Sequence, residues 1–301
     1  MAVLRPTSTA DACAALADHP GAIPLAGGTD LMVEVNAGRR LPDVVVSLAA
    51  VEDLGGWYLV DADEGPPVVR IGATTTYTAL MDAGLARLVP SLAQAARTVG
   101  SPQIRNAGTI GGNVATGSPA GDTLPVLTAL DATVELASVG GTRTLPVVEL
   151  VTGPKRTALE PGELVAAVHV PVLRGPQEFL KVGTRSAMVI SVVSLAAVAD
   201  LDARSVGLAA GAASARPGRA TDAEELAAAV CDWDGLAAGD PTPPGREDLA
   251  RIGELVRGAV APIDDHRSTA DYRRHAVGVL AARALARLFA PAADTRGSSA
   301  A

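Results

Sequence analysis

Two glycine-rich segments hold the residue types that can bind an anion through the backbone. They are 25-LAGGTDL-31 and 107-AGTIGGNVATGSPAGD-122, and the second contains five glycines and no positive charge. Glycine can adopt positive φ and lets the backbone approach a ligand closely. Consecutive amides with Ser or Thr hydroxyls can surround a phosphate without lysine. The pair therefore predicts two loops on opposite sides of one extended diphosphate ligand.

The first loop lies between a predicted strand and a predicted helix. There the amides of Gly28, Thr29 and Asp30 would be unpaired donors at a helix N-terminus, a position that favours an anion. A tight turn with Thr29 as the helix N-cap explains the same residues, and both interpretations stay open at this point. The loop matches neither GxGxxG nor GxxxxGK(S/T), so neither a nicotinamide Rossmann site nor a P-loop is supported.

The second segment supplies several backbone amides that are not obstructed by side chains, together with two hydroxyls. These come from Gly108, Thr109, Gly111, Gly112 and Thr116. Asn113 could orient the loop or contact a phosphate, and Asp122 could accept hydrogen bonds from ribose hydroxyls. The alternative is an ordinary glycine-rich connection, but that would expose Ile110 and Val114 in a mobile loop. We therefore expect a binding loop here.

The elements around the loops predict one mixed α+β region. The predicted N-terminal elements are a strand at 2–4, a helix from Ser8 or Thr9 to before Pro20, a strand at 22–26, a helix at 30–36 and a strand at 44–48. Strands that alternate with helices are typical of a small parallel sheet. Further predictions are hairpins at 57–72, with an acidic turn at 61–64, and at 132–146, helices at 75–82 and 86–99, and a strand at 163–171. The hairpins indicate a second, mixed or antiparallel sheet.

A break near 173–178 divides the chain into two predicted domains, 1–175 and 176–290. The second is predicted to hold strands at 178–184, 190–199 and 205–212, helices at 221–231 and 247–260, and a surface loop at 235–247. The last helix is predicted to begin with the capping box 268-STAD-271. Its predicted apolar stripe is Tyr272, Ala276, Val279, Leu280 and Ala284. The small, polar tail 291–301 is predicted to be disordered.

Composition excludes several classes of protein. The net charge of −8 argues against a nucleic-acid partner, because phosphate contacts need a basic surface. The longest apolar runs are too short and too interrupted to span a membrane, and the N-terminus lacks a signal sequence, so a cytoplasmic protein is expected. Cys13 and Cys231 lie too far apart for an iron–sulfur set. The four histidines are scattered, so no metal site is predicted.

Taken together, the motifs resemble a known family. Segments 25-LAGGTDL-31, 108-GTIGGNVATGSPAGDTLP-125, 179-FLKVGTRSAMVISVVSLAA-197 and 264-DDHRSTADYRRHAVGVLAARAL-285 are similar, in order, to the FAD-binding (medium) subunit of molybdenum hydroxylases. That family includes the xanthine dehydrogenase, carbon monoxide dehydrogenase and nicotine or quinoline oxidoreductase group. The resemblance covers nearly the whole chain.

The resemblance implies an FAD site and names its residues. It places one side of the diphosphate on Ala26, Gly27, Gly28, Thr29, Asp30 and Leu31, and the other on Thr109, Gly111, Gly112, Asn113 and Thr116. It also places Asp122 near the adenosine ribose and Lys181 beside the flavin. Arg105 either lies on the surface or meets a phosphate, and Arg185 faces either the flavin or a neighbouring subunit. No residue that stacks on the isoalloxazine is identified.

The implied activity is electron transfer without a catalytic acid or base on this chain. FAD would take electrons from iron–sulfur clusters of a small partner subunit and pass them to NAD, a quinone or oxygen. A large subunit would hold the molybdopterin and the substrate, giving a heterotrimer that can pair into a dimer of heterotrimers. Two alternatives remain open: a stand-alone FAD-dependent oxidase or reductase, and a structural subunit without flavin.

Overall fold

The computed structural model describes residues 1–39, 42–61 and 65–291. The chain begins with three short strands and two helices: β1 (Ala2–Leu4), α1 (Thr9–Asp18), β2 (Ile23–Leu25), α2 (Leu31–Asn36) and β3 (Val44–Ser47). The strands form a parallel sheet in the order β1-β3-β2. Helix α1 packs between this sheet and the next one through its buried face of Ala12, Cys13 and Leu16. This packing fixes the position of the loop that leaves β2.

A second, antiparallel sheet forms the middle of the chain. Its strands and the neighbouring hairpin are β4 (Trp57–Val60), β5 (Val68–Gly72), β6 (Thr133–Ser138), β7 (Gly141–Pro146), β8 (Val151–Gly153), β9 (Arg156–Thr157) and β10 (Leu164–Pro171). Five of them pair in the order β4-β5-β10-β6-β7, and β8 pairs only with β9 within the described residues. The central β10 is buried on both faces, because Leu164 contacts the α1 layer and Val165 contacts the main core.

Six helices lie between or beside these strands. They are α3 (Ala83–Leu88), α4 (Pro90–Thr98), α5 (Pro102–Ala107), α6 (Ile110–Thr116), α7 (Thr123–Ala129) and α8 (Val147–Leu150). Helix α7 is buried along its whole length, since it lies between the middle sheet and the C-terminal sheet. Helix α6 precedes α7 in the chain and lies within the second glycine segment.

The C-terminal part is a four-stranded antiparallel sheet between two helical layers. Its elements are β11 (Gln177–Val182), β12 (Val193–Asp200), β13 (Ser205–Gly211), β14 (Gly218–Arg219), α9 (Thr221–Val230), α10 (Trp233–Ala238), α11 (Arg246–Gly258) and α12 (Ala270–Leu288). The strands pair in sequence order. Side chains alternate between the faces of a strand, so Ala196 of β12 joins the core with α4 and α7 while Leu195 packs against α9 and α12. The predicted α+β fold, a small parallel sheet followed by antiparallel sheets, is confirmed.

The second glycine segment is more helical than predicted. It contains α6 and ends at Asp122, the N-cap residue of α7, whereas the sequence predicted a loop. Ile110 and Val114 are four residues apart and fully buried, which is the spacing of one helix face. Thr109 caps α6, and Gly117 ends it with a left-handed φ of 57°. The buried apolar pair therefore outweighs the low helix propensity of the two glycines.

Three smaller predictions are wrong. The predicted helix at 75–82 is reduced to a 3-10 turn at Ala79–Met81. The predicted surface loop at 235–247 contains part of α10, which Asp232 caps. The N-cap of α12 is Thr269 rather than Ser268, and of the predicted apolar stripe Tyr272 and Val279 are exposed, whereas Ala276, Leu280 and Ala284 are buried. Most of the predicted turn at 61–64 and nearly all of the predicted tail lie outside the described residues. In the described part of the chain, no helix is long and apolar enough to cross a membrane.

Candidate functional site

A cleft of about 400 Å³ lies where the two glycine segments meet. Its walls come from the β2–α2 loop, from α6 and from the β8–β9 hairpin. Of the residues predicted from the sequence, it is lined by Ala26, Gly27, Gly28, Thr29, Asp30, Leu31, Thr109, Gly112, Asn113 and Thr116. The other three predicted residues, Gly111, Asp122 and Lys181, do not line it. Segments about 80 residues apart are thus joined in one site.

The two segments touch backbone to backbone at Gly27. A Cβ added to Gly27 would lie 1.7 Å from the carbonyl oxygen of Ala107 and 3.0 Å from the Cα of Gly108. No side chain fits in that space, so only glycine allows this approach. The next residue, Gly28, has a φ of +69°, which turns the chain from β2 into α2. The fold itself therefore requires both glycines. The short motif alone could not distinguish this structural role from a role in ligand binding.

Several hydrogen-bond donors at the cleft are unused by the protein. The backbone N–H groups of Gly27, Gly28 and Thr29 find no acceptor among the described residues. The hydroxyls of Thr29 and Thr116 likewise make no hydrogen bond within the described chain. Polar groups that lie in a concave site and lack protein partners are available to a ligand. The first loop thus offers three consecutive donors to an acceptor in the cleft.

Helix α6 uses its first amides inside the protein. Ile110 N donates to the carbonyl of Thr75 at 3.0 Å, and Gly111 N donates to that of Ala73 at 2.9 Å. A Cβ on Gly111 would lie 2.4 Å from the Ala73 Cβ. Gly111 is therefore a packing residue in this structure, with its amide already used. Gly112 differs, because it faces the cleft and donates to Thr109 Oγ1 at 3.1 Å.

Tyr77 forms part of the cleft wall and was not identified from the sequence. It is 5% exposed, and its backbone N–H donates to Gly108 O at 3.0 Å, which ties it to the second segment. Burial, helped by the negative charges of Asp122 and Asp30, raises the pKa of Tyr77, although a hydrogen bond with Asn113 opposes this rise. The phenol is therefore neutral at physiological pH. The only feature of the sequence that could have marked Tyr77 as a site residue was the rarity of tyrosine, which occurs three times in the chain.

Asp122 and Lys181 form a buried ion pair close to the cleft. Lys181 Nζ lies 2.6 Å from Asp122 Oδ2, and both side chains are more than nine-tenths buried. The ammonium also donates to Thr98 O at 3.3 Å, while Ser191 Oγ donates to Asp122 Oδ1 at 2.5 Å. The pair links β11 to the N-terminal end of α7. Two predicted site residues are thus brought together, although they lie outside the cleft wall.

Lys155 lies on the third wall and was also missed as a site residue. Its Nζ is 2.8 Å from Glu34 Oε1 and 3.7 Å from Asp30 Oδ1, both of which line the cleft. The hydrogen bond with Glu34 raises the pKa of Lys155, which is therefore charged at neutral pH. Its residue type was visible in the sequence, but its distance of 121 residues from Glu34 hid the contact.

The remaining candidates are held by protein partners. Arg105 donates to the carbonyls of Val99 and Gly100 at 3.2 and 3.0 Å, respectively. Arg185 donates to the carbonyls of Ala187 and Met188. His169 lies 2.9 Å from a Glu135 oxygen, which also receives Arg70. Over the described residues, His, Cys, Asp and Glu form no group of three or more that could hold a metal ion.

A glycine-lined, donor-rich cleft beside a small parallel sheet is typical of a protein that binds a phosphate-containing cofactor. Comparison with known proteins identifies the cofactor. Residues 1–173 match the family described as the FAD binding domain in molybdopterin dehydrogenase. The chain therefore belongs to this family, its cofactor is FAD, and it is an oxidoreductase subunit of the xanthine and carbon monoxide dehydrogenase type.

Individual relatives agree over almost the full length. The chain is 32% identical over 297 residues to the xanthine dehydrogenase FAD-binding subunit of Escherichia coli O157:H7, covering 96% of each chain. It is 32% identical over 296 residues to the carbon monoxide dehydrogenase medium chain of Afipia carboxidovorans, again covering 96% of each. The solved structure of reconstituted CO dehydrogenase from Oligotropha carboxidovorans superposes with a TM-score of 0.84 at 31% identity, covering 97% of this chain and 98% of the other. The predicted family, fold and cofactor are confirmed.

Proposed function

We propose that the cleft between the two glycine segments holds the diphosphate and ribityl portion of FAD. One observation supports this most directly: three consecutive residues with unused amides line a cleft whose α6 wall includes Gly112. Phosphate oxygens accept hydrogen bonds from such backbone groups without needing a cation. Gly112 keeps that wall free of side-chain atoms, and its neighbour Gly111 holds the helix against Ala73.

The proposed contacts follow the position of each residue in the cleft. They are Ala26, Gly27, Gly28, Thr29, Asp30 and Leu31 from the first loop, and Thr109, Gly112, Asn113 and Thr116 from the second. Thr29 and Thr116 would donate hydroxyl hydrogen bonds. The neutral phenol of Tyr77 and the side chain of Asn113 would form a polar wall that carries no charge of its own.

Asp122 and Lys181 can serve the cofactor without breaking their ion pair. The Lys181 ammonium has three N–H donors, of which Asp122 and Thr98 take two, so one remains. The Asp122 carboxylate likewise has acceptor capacity beyond its bonds from Ser191, Lys181 and Thr98 Oγ1. We propose that Asp122 meets the adenosine ribose and that Lys181 lies beside the flavin, where a cation favours the reduced form.

We further propose that residues 1–175 bind the cofactor and that 176–290 form a second domain supporting it. The antiparallel sheet of β11–β14 begins at Gln177, and its first strand already provides Lys181. FAD supplies the chemistry, which is acceptance of electrons and their transfer one or two at a time. The chain holds the cofactor in place and sets the polarity around it.

The chain is proposed to act in a complex with an iron–sulfur small subunit and a molybdopterin large subunit. Its relatives include FAD-binding subunits and medium chains of dehydrogenases. Electrons would arrive from the small subunit and leave to an external acceptor. A cytoplasmic location fits the free, buried Cys13 and Cys231, because reducing compartments keep thiols unpaired.

Purification of the chain from its native host with identification of bound cofactors and partners tests this proposal. We expect FAD on this chain, and iron–sulfur and molybdenum centres on two chains that purify with it. A chain that purifies alone with FAD and oxidises a substrate of its own would favour the stand-alone oxidase instead. Protein that stays colourless and takes up no added FAD would contradict the cofactor site itself.

A further inference from the structure

Lys155 reaches across the cleft from a part of the chain that neither glycine segment includes. It lies in the turn between β8 and β9, and its ammonium contacts Glu34 of α2 at 2.8 Å and Asp30 at 3.7 Å. The side chain therefore connects the hairpin to the opposite wall of the cleft. No other cationic side chain lines the cleft in the described part of the chain.

The backbone of Lys155 is fixed in an unusual conformation. Its N–H donates to Gly117 O at 3.0 Å, which anchors the turn to the C-terminal end of α6. Its φ is +53°, a region that residues with a Cβ seldom adopt and that glycine adopts without strain. The local backbone therefore favours glycine, so the lysine is not explained by the turn. Its side chain, 52% exposed and on a flexible stem, remains able to move.

The charges at the cleft leave a specific role for this side chain. The carboxylate of Asp30 lines the cleft beside the first glycine loop, and the ammonium of Lys155 lies 3.7 Å from it. A diphosphate that enters beside Asp30 meets repulsion unless a cation compensates it. Backbone amides supply hydrogen bonds but no net charge. A mobile lysine that already lies within reach of Asp30 provides this compensation.

We propose that Lys155 is a direct contact for the diphosphate of the bound cofactor. The ammonium, which contacts Glu34 and Asp30 in the structure, would also donate to a phosphate oxygen of the bound cofactor. This inference rests on the proposed cofactor site, and it adds a charged contact from a third segment to the two glycine loops.

Equilibrium binding of FAD to the purified, cofactor-free chain tests the role of Lys155. A charge-assisted hydrogen bond contributes about 1.5–3 kcal/mol, so Lys155→Met is expected to weaken FAD binding about 10- to 100-fold. Lys155→Arg keeps the charge and should bind within about threefold of the wild type, a difference below 1 kcal/mol. ADP, used as a competitor, contains the same diphosphate and should lose affinity in parallel. The wild type should also lose more affinity with added potassium chloride than Lys155→Met does.

Glu34→Gln separates this role from that of a structural ion pair. If Lys155 only ties the hairpin to α2, Glu34→Gln should weaken FAD binding as much as Lys155→Met. We expect the opposite, unchanged or tighter binding, because the ammonium is released and a repelling carboxylate is removed. Wild-type affinity for FAD and ADP in Lys155→Met would overturn the inference and leave the cofactor site standing. Failure of the wild type to bind FAD would overturn both.

Discussion

Neighbouring glycines in α6 have different roles although they look alike in the sequence. Gly111 packs against Ala73, where an added Cβ would come within 2.4 Å of a side-chain atom and 2.7 Å of a carbonyl oxygen. Gly112 faces the cleft, and an added Cβ would meet only Thr109 Oγ1, at 3.1 Å, among the described residues. One glycine is therefore needed by the fold and the other is available to the ligand.

The two positions should respond differently to alanine. Gly111→Ala is expected to lower the free energy of unfolding by about 1–3 kcal/mol, because the backbone of Ala73 must move. Gly112→Ala should change stability by less than about 1 kcal/mol, since alanine is the better helix former. Urea unfolding of the cofactor-free variants measures both values. Equal losses of stability would contradict the assignment of Gly111 as the packing residue.

The buried pair of Lys181 and Asp122 allows a second test at the level of residues. Lys181→Met leaves the Asp122 carboxylate buried without its cation and should cost about 3–5 kcal/mol in the free energy of unfolding. The double variant Lys181→Met with Asp122→Asn removes both charges and should recover much of this loss. Urea unfolding of both variants gives the comparison. If the double variant is as unstable as the single one, the ion pair is not the cause.

The sequence predicted which residues line the cleft better than it predicted the contacts that each of them makes. Ten of the residues that line the cleft were predicted, most of them from the amides and polar side chains that they supply, and Ala26 and Leu31 only from the family resemblance. The sequence could not show that the Gly111 amide is used by Ala73, nor that Lys155 meets Glu34, since both depend on contacts between distant segments. Such contacts follow from the layering of the fold, which local spacing does not contain.

At the scale of elements, the sequence leaves the N-cap of α12 ambiguous between two neighbouring residues. Ser268 and Thr269 are both N-cap residues by type, but Thr269 Oγ1 accepts from the Tyr272 N–H at 3.2 Å. In this helix Arg273, Ala276 and Leu280 are buried, and Tyr272 is exposed. This hydrogen bond identifies Thr269 as the N-cap, whereas the motif alone favoured its neighbour.

The cap can be tested with adjacent alanine substitutions. Thr269→Ala should lower the free energy of unfolding by about 1 kcal/mol, because the first turn of α12 loses a hydrogen-bond acceptor. Ser268→Ala is the matched control and should change stability by less than about 0.5 kcal/mol. Thermal or urea unfolding measures both. The reverse order of effects would restore the capping box at Ser268.

The segment before α12 contains a carboxyl, Asp265, that makes the free energy of unfolding depend on pH in the acidic range. Partial burial opposes the charge on Asp265, but hydrogen bonds from Arg267 and Arg273 outweigh it and hold the pKa of this carboxyl well below its usual 3.8. A pKa lowered in the folded state adds stability above the unfolded value that is lost as the pH falls toward the folded value. The difference in stability between wild type and Asp265→Asn should therefore be constant near neutral pH and shrink below about pH 4. A difference that grows as the pH falls would contradict this sign.

At the scale of the whole molecule, the C-terminal sheet provides more than a cover for the cofactor region. Gln177 accepts from the Ser91 hydroxyl at 2.7 Å, and Lys181 pairs with Asp122, so β11 is bound to α4 and α7. The sequence predicted three strands of this sheet but not the short β14, and the burial of the sheet between two helical layers was not predictable from composition. Alanine, valine and leucine fill both faces, so the sequence shows no polar side that would reveal the layering.

The account as a whole depends on the cleft as the FAD site. The most direct measurement is an equilibrium titration of FAD into the purified, cofactor-free chain and into Gly112→Val, with unfolding curves for both. We predict that the wild type binds FAD, while Gly112→Val remains folded and loses binding, because the added side chain occupies the cleft wall. Normal FAD binding by a folded Gly112→Val would show that the cofactor lies elsewhere.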